Sequence, residues 1–212
     1  FPTRRSSDLA YAQFWQALSR GINDSGQYLR IGKNGRPVWI EASYNPILDT
    51  EGKPATAVRK VQEAAQQQGA RFFAGGILSG EALAMGKEAE KAGGLFVTTA
   101  GADEITGSDC NAATFRWSVP TFGAIEQTVR PLIDSMPKAK RWYTITPQYV
   151  FGEALLEGAK TVLKDNGLEH VGNSYHSLQE QEFSGYLTNA IAAKPDVLVL
   201  LNFGSQSSNT LR

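Results

Sequence analysis

Residues 71–102, RFFAGGILSGEALAMGKEAEKAGGLFVTTAGA, carry the pattern that decides the fold. A short strand-like run at 71–74, apolar after Arg71, leads into a Gly-rich turn and then into a helical pattern whose apolar residues fall on one face. A second apolar run at 95–99 follows and ends in the small-residue turn Ala100-Gly101-Ala102. This order predicts a βαβ unit, in which two parallel strands are joined by a crossover helix.

The same alternation extends along the chain from residue 55 to residue 212. The last strand reads VLVLL at 197–201, a continuous apolar run typical of a strand that is buried on both faces. We therefore expect an α/β, Rossmann-like fold with mostly parallel sheets. The further predicted helices are 56–68, 122–136, 152–166 and 183–193, and the further predicted strands are 115–119, 142–146, 171–176 and 196–203.

Residues 10–54 follow a different pattern, which predicts a small α+β piece. Two runs rich in aromatic and β-branched residues, 27–31 and 37–44, flank the dipeptide Asn34-Gly35, a strong hairpin signal. A short amphipathic helix is expected ahead of them, around Phe14. An isolated hairpin is marginally stable in water, so this piece needs further strands or a surface to pack against.

Composition excludes several classes of function. Lys and Arg total 21, as do Asp and Glu, so the net charge of +0 argues against a nucleic-acid or membrane-surface partner. Two histidines, His170 and His176, are expected to be surface or strand residues rather than metal ligands. Cys110 is the only cysteine, and is either the remaining half of a disulfide or a buried thiol. No GxSxG, HExxH or Walker motif occurs, so we expect neither an enzyme nor a bound cofactor.

The first nine residues, FPTRRSSDL, look like the translation of a sequencing-adapter oligonucleotide. We treat residues 1–9 as an artefact, with a natural basic arm as the alternative. No signal-peptide pattern opens the chain, and no run of 18 apolar residues predicts a membrane span.

The segment 10–54 resembles the C-terminal half of a PAS sensor domain, of the kind found in chemotaxis receptors and sensor kinases. The resemblance rests on FWQAL at 14–18, SGQYLRIGK at 25–33 and, chiefly, VWIEASYNPILD at 38–49. The strands and helices that build most of a PAS ligand pocket are absent from it, so neither haem nor flavin is assigned.

The segment 55–212 resembles the extracytoplasmic solute-binding proteins of branched-chain amino acid and amide ABC transporters. These proteins have the type I periplasmic binding-protein fold, here incomplete in both of its lobes. The resemblance implies a chimera of a PAS piece and a binding domain. The motifs that carry it are AGGILSGEALA at 74–84, TTAGADEITG at 98–107, TFRW at 114–117, ITPQYVFG at 145–152 and EFS at 182–184.

The first candidate site residues lie at the carboxyl ends of two strands, where open α/β sheets bind ligands. Ser79, predicted as a helix N-cap, and the N–H groups of Gly80 and Glu81 would seat a carboxylate. The turn Ala100-Gly101-Ala102 has small side chains, so its backbone N–H and C=O groups would lie close to a bound ligand. The resemblance implies that Ser79 and this turn hold the carboxylate and the amino group of the ligand. A purely structural N-cap is the alternative role for Ser79.

On the second lobe, the resemblance implies that Tyr149 or Phe151 and the turn starting at Gly204 close over the ligand. A purely structural role as core aromatic residues is the alternative for Tyr149 and Phe151.

The implied partners are an amino-acid or amide ligand and the permease subunits of an ABC transporter, outside the cytoplasm. A PAS-containing sensor and a cytoplasmic regulator with the same bilobed fold are the alternatives. With both lobes incomplete, we expect this polypeptide to be unstable or to aggregate.

Overall fold

From residue 54 onward strands and α-helices alternate as the sequence predicts, except that only the 3-10 helix Asp103–Ile105 separates the strands Leu95–Thr98 and Thr114–Arg116. The computed structural model describes residues 13, 14, 16, 17, 20, 24–31, 33–44 and 53–211. The strands are β1 Asp24–Ile31, β2 Pro37–Tyr44, β3 Phe72–Ala74, β4 Leu95–Thr98, β5 Thr114–Arg116, β6 Arg141–Pro147, β7 Glu169–His176 and β8 Val197–Leu200. The helices are α1 Pro54–Gln67, α2 Ser79–Lys91, α3 Thr121–Ser135, α4 Val150–Asp165, α5 Ser184–Ala192 and α6 Ser205–Thr210.

Lobe one consists of the parallel sheet β3-β4-β5 with helices α1 and α2. The helices pack on one face of the sheet, where Phe73 and Phe96 are buried with Val61 of α1 and Met85 of α2. The opposite face is exposed, and the parallel register places alternate residues of all three strands together on it. Its exposed apolar side chains are Phe72, Leu95, Val97 and Phe115.

Lobe two is the parallel sheet β7-β6-β8, which is covered on both faces. Helices α3 and α4 pack on Trp142 of the central strand β6, and α5 packs on its other face, against Ile145. The prediction that the run from residue 197 is buried on both faces is wrong, since each residue of β8 is only half-buried. The reason is topological: β8 lies at an edge of the sheet, and β6 takes the central position.

The hairpin predicted in the first part of the chain is confirmed. Strands β1 and β2 pair antiparallel as a sheet of their own, and the turn between them holds Asn34 at φ 68° and Gly35 at φ 75°. Residues 13–14 and 16–17 are helical. Trp15 and Leu18, which belong to the predicted amphipathic helix, lie outside the described residues, as do residues 1–12.

The two lobes meet at the start of α4. Val150 and Ala154 of this helix pack against the buried core of lobe one. The chain enters lobe two through the segment between Arg116, the end of β5, and Thr121, the start of α3. This contact brings the carboxyl end of the lobe-one sheet against the first turn of a lobe-two helix.

Candidate functional site

Ser79 begins helix α2 and is 1% exposed. It is the first helical residue rather than the N-cap, a position that Leu78 occupies, so the prediction of Ser79 as N-cap is wrong. Its Oγ instead accepts a hydrogen bond from the backbone N–H of Ala102 at 3.3 Å. The serine therefore reaches across to the turn after β4 and joins the two predicted elements of the site.

The turn Ala100-Gly101-Ala102 is buried and bonded within the protein. The N–H of Ala100 donates to Thr98 Oγ1 at 3.0 Å, and that of Ala102 donates to Ser79. The expectation that this turn offers open backbone groups is therefore wrong for these two N–H groups. The Ser79 oxygen, which accepts from Ala102, keeps its own O–H as a donor.

Arg116, at the end of β5, holds the same turn from the opposite side. Its Nη1 donates to the carbonyl oxygens of Gly101 at 3.2 Å and Ala102 at 2.7 Å, and its Nη2 donates to Thr106 Oγ1. No site role was predicted for Arg116. The signal available was its place in the TFRW motif at 114–117, within the predicted strand 115–119, whereas only the structure shows that the strand ends at Arg116.

Aromatic residues of lobe two lie against this turn. A Cβ atom built on Gly101 would lie 2.7 Å from Cε2 of Phe151, so the Phe151 ring packs directly on the glycine. The ring centroid of Phe151 lies 5.8 Å from that of Tyr149 and 6.1 Å from that of Phe203. Burial raises the pKa of Tyr149 to about 12, so its hydroxyl is a neutral hydrogen-bonding group at physiological pH.

Gly80 and Gly204 complete the predicted set. A Cβ on Gly80 would lie 3.7 Å from Val150 Cγ2, so the first turn of α2 also faces lobe two. Gly204 immediately precedes α6 with φ 61°. It lies near the other predicted residues because the ring of its neighbour Phe203 lies next to that of Phe151. The structure thus brings predicted residues of lobe one and lobe two to one place, where the two lobes meet.

The remaining candidates lie elsewhere. Cys110 is exposed, so the alternative of a buried thiol is wrong. His170 and His176 both lie in β7, as expected, but His176 is 2% exposed and is not a surface residue.

Within the described ranges, no group of three or more His, Cys, Asp and Glu could hold a metal ion. None of the helices described is both long enough and apolar enough to cross a bilayer.

The fold is similar to that of several solved transport proteins. The amino acid ABC transporter substrate-binding protein from Pseudomonas fluorescens Pf-5 is 70% identical, with a TM-score of 0.70, over 84% of this chain and 46% of that one. A periplasmic binding protein from Burkholderia mallei is 29% identical, with a TM-score of 0.71, over 77% and 43%. A solute-binding protein of an ABC transporter from R. palustris, in complex with benzoate, is 27% identical, with a TM-score of 0.67, over 76% and 45%. The chain spans about half the length of these relatives.

A separate, short similarity involves a different protein. The biofilm dispersion protein BdlA from Pseudomonas aeruginosa is 54% identical over 43 residues, which are 20% of this chain and 10% of that protein. This match covers too little of either chain to indicate a family.

The family profile described as periplasmic binding protein matches residues 11–212, nearly the whole chain. The α/β architecture with parallel sheets confirms the predicted fold class. The chain belongs to the periplasmic binding protein family.

Proposed function

We propose that this chain is the solute-binding part of an ABC transporter substrate-binding protein, and that its solute is an amino acid, an amide or a urea-like compound. The observation that carries the proposal is the hydrogen bond between Ser79 and Ala102, with Phe151 packed on the adjacent Gly101. Two turns of lobe one and an aromatic group of lobe two thus surround one site. The 70% identity to an amino acid transport protein supports the same class of solute.

The chemistry of the site suits a zwitterion or an amide. The Ser79 hydroxyl and the N–H of Gly80 lie at the start of α2, where the helix dipole favours a carboxylate or a carbonyl oxygen. Of the carbonyl oxygens of the turn, that of Ala100 accepts one hydrogen bond, from Ser118 Oγ at 3.5 Å, and its second lone pair is an acceptor for an amino or amide N–H. Those of Gly101 and Ala102 each accept two hydrogen bonds within the protein. Tyr149 and Phe203 would cover the apolar part of the solute.

Binding requires the lobes to move. In this structure the Phe151 ring lies on Gly101, so a solute can reach the turn only when lobe two withdraws. The lobes would then close again, with the solute between Phe151 and the turn, as in hinge closure. In the intact protein, the closed form would be the one that meets the permease subunits of the transporter, outside the cytoplasm.

Isothermal titration calorimetry of the whole chain tests the proposal. The probes are L-leucine, L-valine, acetamide, urea and benzoate, the last because the R. palustris relative was solved with it. We expect saturable binding of at least one amino acid or amide. Such binding, together with a cooperative melt, would contradict the expectation that this polypeptide is unstable or aggregates. Binding of benzoate alone would contradict the solute class, and binding of none of the probes would contradict the function.

A second candidate function follows from the resemblance of residues 10–54 to a PAS domain. We propose that residues 10–54 are a PAS piece, distinct from a binding domain at 55–212, since strands β1 and β2 form a sheet separate from both lobes. The family match starts at residue 11 and therefore overlaps this piece. If both parts belong to one gene, the protein is a PAS-containing sensor with a solute-binding domain.

Amplification of genomic DNA across codons 50–60 separates the two alternatives. A chimera of unrelated sequences gives no product from genomic DNA with primers on either side of the junction. A single product of the expected length would contradict the chimera and favour the sensor.

A further inference from the structure

We infer that Arg116 is a positioning residue for solute binding: it fixes the peptide groups of the turn at 101–102 in the orientation that the site requires. The inference rests on the proposed function. Arg116 lies at the carboxyl end of β5, opposite Thr98 in the parallel register, so its side chain stands beside the turn that follows β4.

The peptide group between Gly101 and Ala102 is held from both ends. Its carbonyl oxygen accepts from Arg116 Nη1 at 3.2 Å, and its N–H donates to Ser79 Oγ at 3.3 Å. Because a trans peptide is planar, with its C=O and N–H pointing in opposite directions, fixing the carbonyl also fixes the direction of the N–H. Arg116 therefore contributes to holding the Ala102 N–H toward Ser79, together with the Thr121 N–H, which donates to the same carbonyl oxygen at 2.8 Å.

The next peptide group is fixed by the same guanidinium. Arg116 Nη1 also donates to the carbonyl oxygen of Ala102 at 2.7 Å, which in addition accepts from the N–H of Ile105 at 3.3 Å. Hydrogen bonds from a charged donor are stronger than those between neutral groups, and the planar guanidinium reaches several acceptors at once. A half-buried cation thus holds backbone carbonyl groups.

The turn also links the two lobes. The carbonyl oxygen of Gly101 accepts from the N–H of Thr121, the first residue of α3, at 2.8 Å. Arg116 of lobe one and Thr121 of lobe two therefore share one acceptor. A turn that shifts after loss of Arg116 would alter both the site at Ser79 and the contact across the lobes.

Arg71 supplies a matched control. Its Nη1 also donates to two backbone carbonyl oxygens, those of Ala65 at 3.1 Å and Ala70 at 2.8 Å. It immediately precedes β3, so it lies at the opposite end of the lobe-one sheet from the turn. Arg71→Gln removes the same kind of interaction as Arg116→Gln, away from the site.

The test compares Arg116→Gln and Arg71→Gln in the whole chain by two measurements. Hydrogen exchange without solute reports on the turn, and calorimetry with L-leucine and acetamide reports on binding. For Arg116→Gln alone, we expect about tenfold faster exchange of the Ala102 N–H and about tenfold weaker binding. For both variants we expect a similar fall in Tm.

Each result has a distinct meaning. Unchanged exchange at Ala102 in Arg116→Gln, or equal losses of affinity in the two variants, would overturn the positioning role. So would unchanged affinity in Arg116→Gln when the unmodified chain binds a probe. If the unmodified chain binds neither L-leucine nor acetamide, the two variants are compared with whichever of L-valine and urea it does bind. If it binds none of these four, the proposed function fails and the inference fails with it, and the exchange of the turn then reports on structure only.

Discussion

The Oγ atom of Ser79 accepts a hydrogen bond from the backbone N–H of Ala102 across 3.3 Å, and both residues are buried. This bond joins the start of α2 to the turn after β4, which are separated by 23 positions in the sequence. The two turns at the carboxyl ends of β3 and β4 thus lie together. A polar side chain that is buried and bonded at such a junction stabilises lobe one, and under the proposed function it also lies at the solute site.

We expect Ser79→Ala to lower the free energy of unfolding by about 1 kcal/mol, because the Ala102 N–H loses its buried acceptor. Binding of the solute should weaken as well, since the hydroxyl donor is lost. Urea unfolding and calorimetry measure the two effects. Ser135→Ala, at the far end of α3, removes an exposed hydroxyl bonded to Leu132 and is the control, with affinity unchanged. Equal affinity of Ser79→Ala and the unmodified chain would contradict a role in binding.

The contact between Gly101 and Phe151 predicts that a methyl group at position 101 is too large. In Gly101→Ala the new Cβ would lie 2.7 Å from Phe151 Cε2, so the ring must move away from the turn. We expect a loss of about 1 to 3 kcal/mol of stability, a typical cost of overpacking, together with weaker closure of the lobes.

The double variant Gly101→Ala/Phe151→Leu tests the cause of this loss. If the clash with the ring is responsible, the smaller side chain should recover part of the stability, and a double-mutant cycle would show coupling. Gly185→Ala is the control, because a Cβ there would meet no atom within 4 Å. Strictly additive effects of the two changes would contradict a direct contact.

The general fold could be predicted because local signals were strong. Gly69 and Gly167 follow helices α1 and α4 with φ 66° and 65°, the left-handed conformation expected of glycine at such ends. The dipeptide Asn34-Gly35 is an equally strong signal for the hairpin turn between β1 and β2. The exposure of β8 could not be predicted, because an apolar run does not tell whether its strand lies at the centre or the edge of a sheet.

The site was predicted in part. The meeting of Ser79 with the turn at 100–102 follows from the rule that parallel strands end at one edge of the sheet. The role of Arg116 could not be read from the sequence, since its bonds join a strand to a turn 14 and 15 positions away. Long flexible side chains have many possible acceptors, and only the packing of β5 beside β4 selects these two.

The two faces of the lobe-one sheet predict opposite responses to substitution. Phe96 is fully buried and its neighbour Val97 is 42% exposed, because successive residues of β4 point to opposite faces. Phe96→Ala should cost about 3 to 5 kcal/mol, the usual range for a large buried aromatic residue. Val97→Thr should cost less than about 1 kcal/mol. Urea unfolding of both variants measures the difference, and similar losses would contradict the assignment of the two faces.

The environment of His170 predicts a pH dependence of stability. Burial and, to a smaller extent, the nearby Lys160 lower the pKa of His170 in the folded chain. Its Nε2 lies 2.8 Å from Oγ1 of the fully buried Thr144. As the pH falls, the unfolded chain takes up a proton at this histidine before the folded chain does, so protonation favours unfolding. Stability should therefore decrease as the pH drops below about 6.5, the ordinary pKa of histidine.

Urea unfolding between about pH 8 and about pH 5 measures this decrease, and His170→Gln removes its source while retaining a polar side chain. We expect a shallower pH dependence in the variant. The lowered pKa of Asp196, caused by hydrogen bonds from the N–H groups of Arg141 and Lys140, acts in a separate range below about pH 4. Identical slopes for the unmodified chain and His170→Gln would show that His170 titrates alike in the folded and unfolded chains.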